Sequence, residues 1–179
     1  MGELLLVSGP NDSGKSRWTE ALLARDAGPR WYLATMDPRT PENDSRIEKH
    51  RRQRAGLGFR TVELPCGLDA LSPPPEAAVL LEDVSNLLAN LMFQRGGDGD
   101  AALGEILSLL RRVRLLAAVT ISGLRPEGYS GETADYIREL NRLNLALYAH
   151  SAAAVTMERG APRVEKGDPE ALLRREGRP

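Results

Sequence analysis

Cysteine, lysine, histidine and aromatic residues are all scarce in this 179-residue chain, and each shortage removes a class of explanation. A single cysteine, Cys66, cannot build an internal disulfide framework, which suits a reducing compartment. Two histidines, His50 and His150, leave no cluster of Cys and His to ligate zinc. No apolar run approaches a membrane span. The leading one, Leu4-Leu5-Leu6-Val7, is too short for a signal peptide and lacks a basic leader, so a cytoplasmic protein is expected. A formal net charge of -1 gives no reason to expect nucleic acid as a partner, and the basic run at 49–54 has no interleaved aromatics. Lysine occurs only at Lys15, Lys49 and Lys166, so a lysine inside a glycine loop is harder to dismiss as one surface lysine among many.

What is present alternates between buried-strand and helix patterns. The run at 4–7 is continuously apolar, as in a strand covered on both faces; 31–35, 78–81 and 115–121 read as further strands, and 59–64 as a shorter one. Helical spacing follows at 16–25, 46–54, 87–93, 103–110 and 134–149. Pro73-Pro74-Pro75 reads as a linker, and Gly96-Gly97-Asp98-Gly99-Asp100 as a mobile loop tip. Segments 153–157 and 163–166, separated by Gly160-Ala161-Pro162, predict a closing hairpin. The expectation is a single domain over 1–167 with a charged, frayed tail at 168–179. Its fold would be α/β in three layers, with a mostly parallel sheet and an antiparallel strand or hairpin at the C-terminal edge.

The segment Gly9-Pro10-Asn11-Asp12-Ser13-Gly14-Lys15-Ser16 meets G-x-x-x-x-G-K-[ST], directly after a strand and before a helix. Its glycines permit a turn that aims backbone N–H groups at phosphate oxygens, and the helix adds the positive end of its dipole. Lys15 would span the β and γ phosphates, and the Ser16 hydroxyl would hold Mg²⁺. The domain over 1–167 is therefore expected to be a P-loop nucleotide-binding domain, its three-layer fold P-loop NTPase-like. Glu82 and Asp83, ending the strand at 78–81, stand where a second acidic ligand of the metal or a contact to the base belongs. They also read as ordinary acids at a helix N-terminus.

Arg46, His50 and Arg54 are spaced four apart and would share one helix face. Flanking arginines would keep the imidazole neutral and nucleophilic, and could neutralise a phosphate arriving at it. By itself such a charged run also reads as a solvated helix face.

With these motifs in order, the chain resembles the bifunctional adenosylcobinamide kinase/adenosylcobinamide-phosphate guanylyltransferase family of cobalamin biosynthesis, most closely over residues 1–93. The glycine loop matches, and Tyr32-Leu33-Ala34-Thr35 answers the family's Y-[IL]-A-T. Glu42, Arg46, Ile47, His50 and Arg54 fall on its acidic residue, its R-I-x-x-H and the arginine that follows. Arg60-Thr61-Val62-Glu63 matches R-T-x-E, and Leu80-Leu81-Glu82 with Ser85 and Asn90-Leu91 echoes its strand-to-helix segment. Past Val119-Thr120, where the family continues N-E-V-G-x-G-I-V-P, this chain has Ile121-Ser122-Gly123-Leu124-Arg125-Pro126 instead.

The resemblance implies ATP and GTP as nucleotides with Mg²⁺, a corrinoid acceptor, and a homotrimer with sites between subunits. It implies catalytic roles for Lys15 and for His50, the latter as the residue that becomes guanylylated. It further implies nucleotide contacts from the loop residues together with Thr35, Arg46, Arg54, Glu63 and Glu82. Asn144 fits the family's helix asparagine, and His150 has no matching role. Two other readings stay open: a P-loop small-molecule kinase of different specificity, and a nucleotide-binding regulatory protein without catalysis.

Overall fold

The computed structural model describes residues 1–39, 41 and 44–173. Seven strands form one sheet in the order β3-β2-β4-β5-β1-β6-β7. They are β1 (Glu3–Gly9), β2 (Arg30–Ala34), β3 (Phe59–Glu63), β4 (Ala78–Glu82), β5 (Leu115–Ile121), β6 (Ala153–Glu158) and β7 (Ala161–Lys166). Every neighbouring pair is parallel except β6 and β7, which close the edge as an antiparallel hairpin. The helices are α1 (Lys15–Leu23), α2 (Asp44–Arg54), α3 (Val84–Arg95), α4 (Gly99–Leu110) and α5 (Gly131–His150).

Alternation along the central strands explains why their apolar runs are unbroken. Leu4 and Leu6 of β1, with Val79 and Leu81 of β4, face one core, where Leu87, Leu88, Ile106, Leu109, Leu140 and Leu143 from α3, α4 and α5 pack on them. Leu5, Val7 and Leu80 face the opposite core, against Leu22 and Leu23 of α1. A strand between two helical layers is apolar at most positions, and each leucine removed from water there contributes about 1.5–3 kcal/mol. This is the expected three-layer architecture.

Two local readings are revised. The glycine-rich segment after α3 is a junction between two helices: Asp98 caps α4, its carboxylate accepting from the Ala101 N–H at 2.9 Å, and Gly99 is buried inside the helix. The chain also stays attached beyond Gly167. Residues Pro169–Leu172 form a 3-10 turn that buries Leu172 against the α1 face of the sheet. Arg114 donates to the Leu172 carbonyl at 2.8 Å, and its guanidinium also pairs at 2.5 Å with the buried carboxylate of Asp26.

Docking of this turn therefore rests on apolar burial more than on its exposed Arg25–Glu170 ion pair. Leu172→Ala is expected to lower the unfolding free energy by about 2 kcal/mol in urea titrations, whereas Glu170→Ala changes it little. Equal effects from the two variants would contradict this ordering.

Candidate active site

Sheet register sets the positions of the reacting groups before any side chain is considered. Glu82, the last residue of β4, pairs with Val119 of β5, which pairs with Val7 of β1. The glycine loop follows β1 two residues later, so loop and carboxylate lie side by side beyond the carboxyl ends of the strands. Gly9 has φ 154°, and a Cβ there would lie 2.8 Å from both the Met157 carbonyl and the Ser13 hydroxyl. Gly14 takes the left-handed φ of 86° immediately before α1. Only glycine meets both demands.

The loop's charge is held close. Lys15 is buried, and its ammonium donates to the Pro10 carbonyl at 2.6 Å. Burial lowers its pKa, while the carboxylates of Glu82, Asp83 and Asp12 pull the other way. The Ser16 hydroxyl donates to Glu82 Oε1 at 2.5 Å, and Glu82 Oε2 is buried without a partner. Burial, reinforced by the Asp83 carboxylate, pushes the Glu82 carboxyl upward. A hydroxyl beside an orphaned carboxylate oxygen is a donor set that fits Mg²⁺. No group of three or more His, Cys, Asp or Glu gathers among the described residues, so such an ion would take its other ligands from phosphate and water. Asp83 turns the other way and caps α3, accepting from the Asn86 N–H at 2.8 Å and the Ser85 hydroxyl at 2.5 Å. Of the two acids, one serves the loop and the other the helix.

His50 lies on α2 between two spaces. A cavity of about 400 Å³ is bounded by loop residues 11–16 with Arg46, Lys49, His50, Gln53, Glu82 and Asp83. A recess of about 40 Å³ on its far side shares Arg46, His50, Glu82 and Asp83, and adds Tyr32, Arg54 and Glu63. The imidazole Nδ1 is buried with no hydrogen-bond partner. Its pKa is lowered, first by burial and then by Arg54, Arg46 and Lys49. Desolvation thus outranks the flanking arginines that the sequence suggests as the cause.

The other expected residues divide. Asn11, Asp12, Ser13, Gly14, Lys15, Ser16, Arg46 and Glu82 surround the larger cavity with His50. Gly9 and Pro10 lie beneath the loop, one against Met157 and the other under Lys15. The two arginines differ in role: Arg46 is exposed, whereas Arg54 is buried, its guanidinium 4.0 Å over the Tyr32 ring and its Nε donating to Thr61 at 3.0 Å. Glu63 lines the recess and pairs with Arg51. Thr35 lies outside both spaces: it is fully buried, and its hydroxyl donates to the Asp83 carbonyl (2.7 Å) and accepts from the Asp83 N–H (2.8 Å). It holds the end of β4 and does not face the nucleotide cavity. Glu42 lies outside the described residues. Asn144 joins α5 to β5, accepting from Thr120 at 2.7 Å and donating to the Ile121 carbonyl at 2.9 Å; His150 ends α5, exposed. Sequence reasoning missed Lys49 and Gln53 in the cavity wall. Gln53 was within reach of it, three residues past His50 on the same helical face.

The family model for cobinamide kinase / cobinamide phosphate guanyltransferase matches residues 5–164. The chain belongs to this family. Among curated members, the bifunctional adenosylcobalamin biosynthesis protein CobU of Escherichia coli is 42% identical over 100 residues, 54% of each chain. The protein of the same name in Salmonella typhimurium is 34% identical over 113 residues, 62% of this chain and 61% of that one. The chain thus spans a little over half the length of these two. The bifunctional adenosylcobalamin biosynthesis protein CobP of Pseudomonas aeruginosa is 31% identical over 172 residues, 92% of this chain and 98% of its own. The cobinamide kinase family likeness therefore continues well past residue 93. A solved ATPase domain superposes with a TM-score of 0.53 at 7% identity, over 92% of this chain and 77% of that domain, which establishes the fold alone.

The double hydrogen bond from Thr35 fixes the backbone that presents Glu82. Thr35→Val leaves the part-buried Asp83 N–H without its partner, while the Asp83 carbonyl keeps the Leu87 N–H, so stability is expected to fall by about 1–3 kcal/mol, with weaker Mg²⁺-nucleotide binding. Thr35→Ser is expected to retain both properties. Denaturation and nucleotide titration of the two variants check this, and a valine variant as stable as wild type would contradict it.

Proposed function

We propose that this chain is a cytoplasmic transferase that phosphorylates adenosylcobinamide and then transfers GMP from GTP to the phosphorylated product through a guanylylated His50. The observation that carries the reading is the half-buried imidazole on the wall of the glycine-loop cavity, its Nδ1 buried without a partner and its basicity lowered first by burial. A neutral imidazole has a lone pair available at neutral pH, and Arg46 and Lys49 beside it favour an incoming triphosphate.

In the kinase step, the γ-phosphoryl group of ATP or GTP passes to the aminopropanol hydroxyl of the corrinoid, with Lys15 and the loop N–H groups bearing the developing charge. Ser16 and Glu82 would hold Mg²⁺, which supplies charge neutralisation at the β and γ phosphates when bound. In the second step, the unprotonated imidazole nitrogen of His50 bonds to the α-phosphorus of GTP as the bond to pyrophosphate breaks, while the other ring nitrogen keeps its proton. A phosphate oxygen of the corrinoid then attacks the same phosphorus. The P–N bond breaks, a P–O–P bond forms, and His50 is restored. Arg46 is suited to neutralising the nucleotide phosphates; Arg54, stacked on Tyr32, anchors the helix.

Incubation with α-labelled GTP and Mg²⁺, followed by denaturation, is expected to leave an acid-labile, alkali-stable label on the wild type and none on His50→Ala. Absence of label with GTP binding intact would favour a plain kinase or a non-catalytic nucleotide binder. The sign of the pH dependence follows from the lowered pKa of His50: activity depends on the neutral form, so it falls only as pH drops through a value below 6.5. The kcat/KM profile for labelling reports the free enzyme, and Lys49→Gln, which removes a neighbouring cation, is expected to move its acid limb upward. The homotrimer that the family likeness suggests would appear in light scattering at three times the 19.6 kDa chain mass. A monomer would overturn that part of the proposal.

A further inference from the structure

Helix α2 carries His50, yet Ile47 is the one apolar residue within it, so apolar burial does little to fix its rotation. Among the described residues its polar attachments run in two directions. Arg51 to Glu63, and Arg54 to Thr61 and Tyr32, tie it to β2 and β3. Gln53 ties it to α1, the helix whose N-terminus carries Lys15 and Ser16: Gln53 Nε2 donates to Glu20 Oε2 at 2.5 Å.

Glu20 is an unusual partner. It lies one turn beyond Ser16, is 1% exposed, and its second carboxylate oxygen, Oε1, is buried with no hydrogen-bond partner. An apolar side chain would fill this space without leaving a carboxylate oxygen unpaired, so folding alone does not account for a glutamate here. What the carboxylate does provide is an acceptor for a side chain on the same face of α2 as His50. Gln53 and His50 are three residues apart, and both line the glycine-loop cavity.

We propose that Glu20 is a positioning residue for histidine guanylylation: by holding Gln53 it sets the rotation of α2 and turns His50 toward the Lys15–Ser16 end of α1. The proposal rests on the covalent-histidine reading above. Side chains end about 5–6 Å from a helix axis, so a rotation of about 10° displaces the imidazole by about 1 Å. A misplacement of that size can cost about 100-fold in rate. The attachments to β2 and β3 run through Arg51 and Arg54, and the Gln53–Glu20 bond adds the hold toward α1, so without it α2 is held from the β2–β3 side alone.

The test compares Glu20→Ala, Glu20→Gln, Gln53→Ala and the double alanine variant. Each alanine variant is expected to slow labelling by α-labelled GTP about 10- to 100-fold, and the double variant no further. Glu20→Gln keeps an acceptor oxygen and is expected to restore the rate. In Glu20→Ala, phosphoryl transfer from γ-labelled nucleotide to the corrinoid alcohol is expected to stay within about twofold, a split that a general loss of structure would not give. Additive losses, an equal loss of both activities in Glu20→Ala, or no rescue by glutamine would overturn the proposal. Hydrogen exchange separates it from the reading beneath it. Amides of α2 are expected to exchange faster in Glu20→Ala while those of β1 and β4 do not change. A wild type that takes no label sinks the covalent-histidine reading, whereas unchanged exchange in α2 sinks the Glu20 tether.

Discussion

The hydrogen bond from the Ser16 hydroxyl to the Glu82 carboxylate joins parts of the chain that are 66 residues apart, and the rest of the site is arranged around it. It forms because β1, β5 and β4 run parallel in register, which brings the last residue of the glycine loop and the last residue of β4 to the same end of the sheet. A parallel sheet covered on both faces hides its strands, and the crevice beyond their carboxyl ends, where loops and helix N-termini gather, is where ligands bind in such folds. The two apolar cores that make the sheet rigid therefore also determine where phosphate can be gripped.

Around that contact the structure departs from the rules that govern its core. Glu20, His50 and Glu82 each carry a buried polar atom with no partner, and all three lie within or beside the glycine-loop cavity. Each such atom lowers stability, and the closely packed layers built on Leu5, Leu33, Leu81 and Leu116 offset the loss. The same burial depresses the basicity of His50 and Lys15 and raises the Glu82 carboxyl. A site that withholds water from its charged groups makes them responsive to one another and to an arriving phosphate.

Helix α2 is the counterpart of this rigid platform. It lies over the open end of the sheet with little apolar surface, held by arginine and glutamine contacts to three different elements. Polar tethers specify orientation through direction and length, as the proposed role of His50 requires. The exposed link between β5 and α5, where the chain departs from the family's pattern, borders the same end of the sheet through Ile121.

The apolar runs determined the central strands, because a strand buried on both faces tolerates a polar position only where, as at Thr120, it finds a partner, and the alternating helices determined the three layers. The glycine loop was legible because its chemistry is local: backbone angles, a lysine and a hydroxyl within eight residues. His50 was legible through its four-residue spacing to Arg46 and Arg54. Only the tertiary structure decided what depends on approach between distant segments. Strand order brought Glu82 to Ser16, and separated Glu82 from Asp83 in role although they are adjacent in sequence. It turned Thr35 inward to Asp83, buried Arg54 against Tyr32, and docked Leu172 where the tail was expected to fray. Glu20 gave no sign of its place, since a glutamate on a short helix reads as solvated until a second helix is packed over it. Local pattern encodes what each segment is, whereas burial and partnership are properties of the assembled fold.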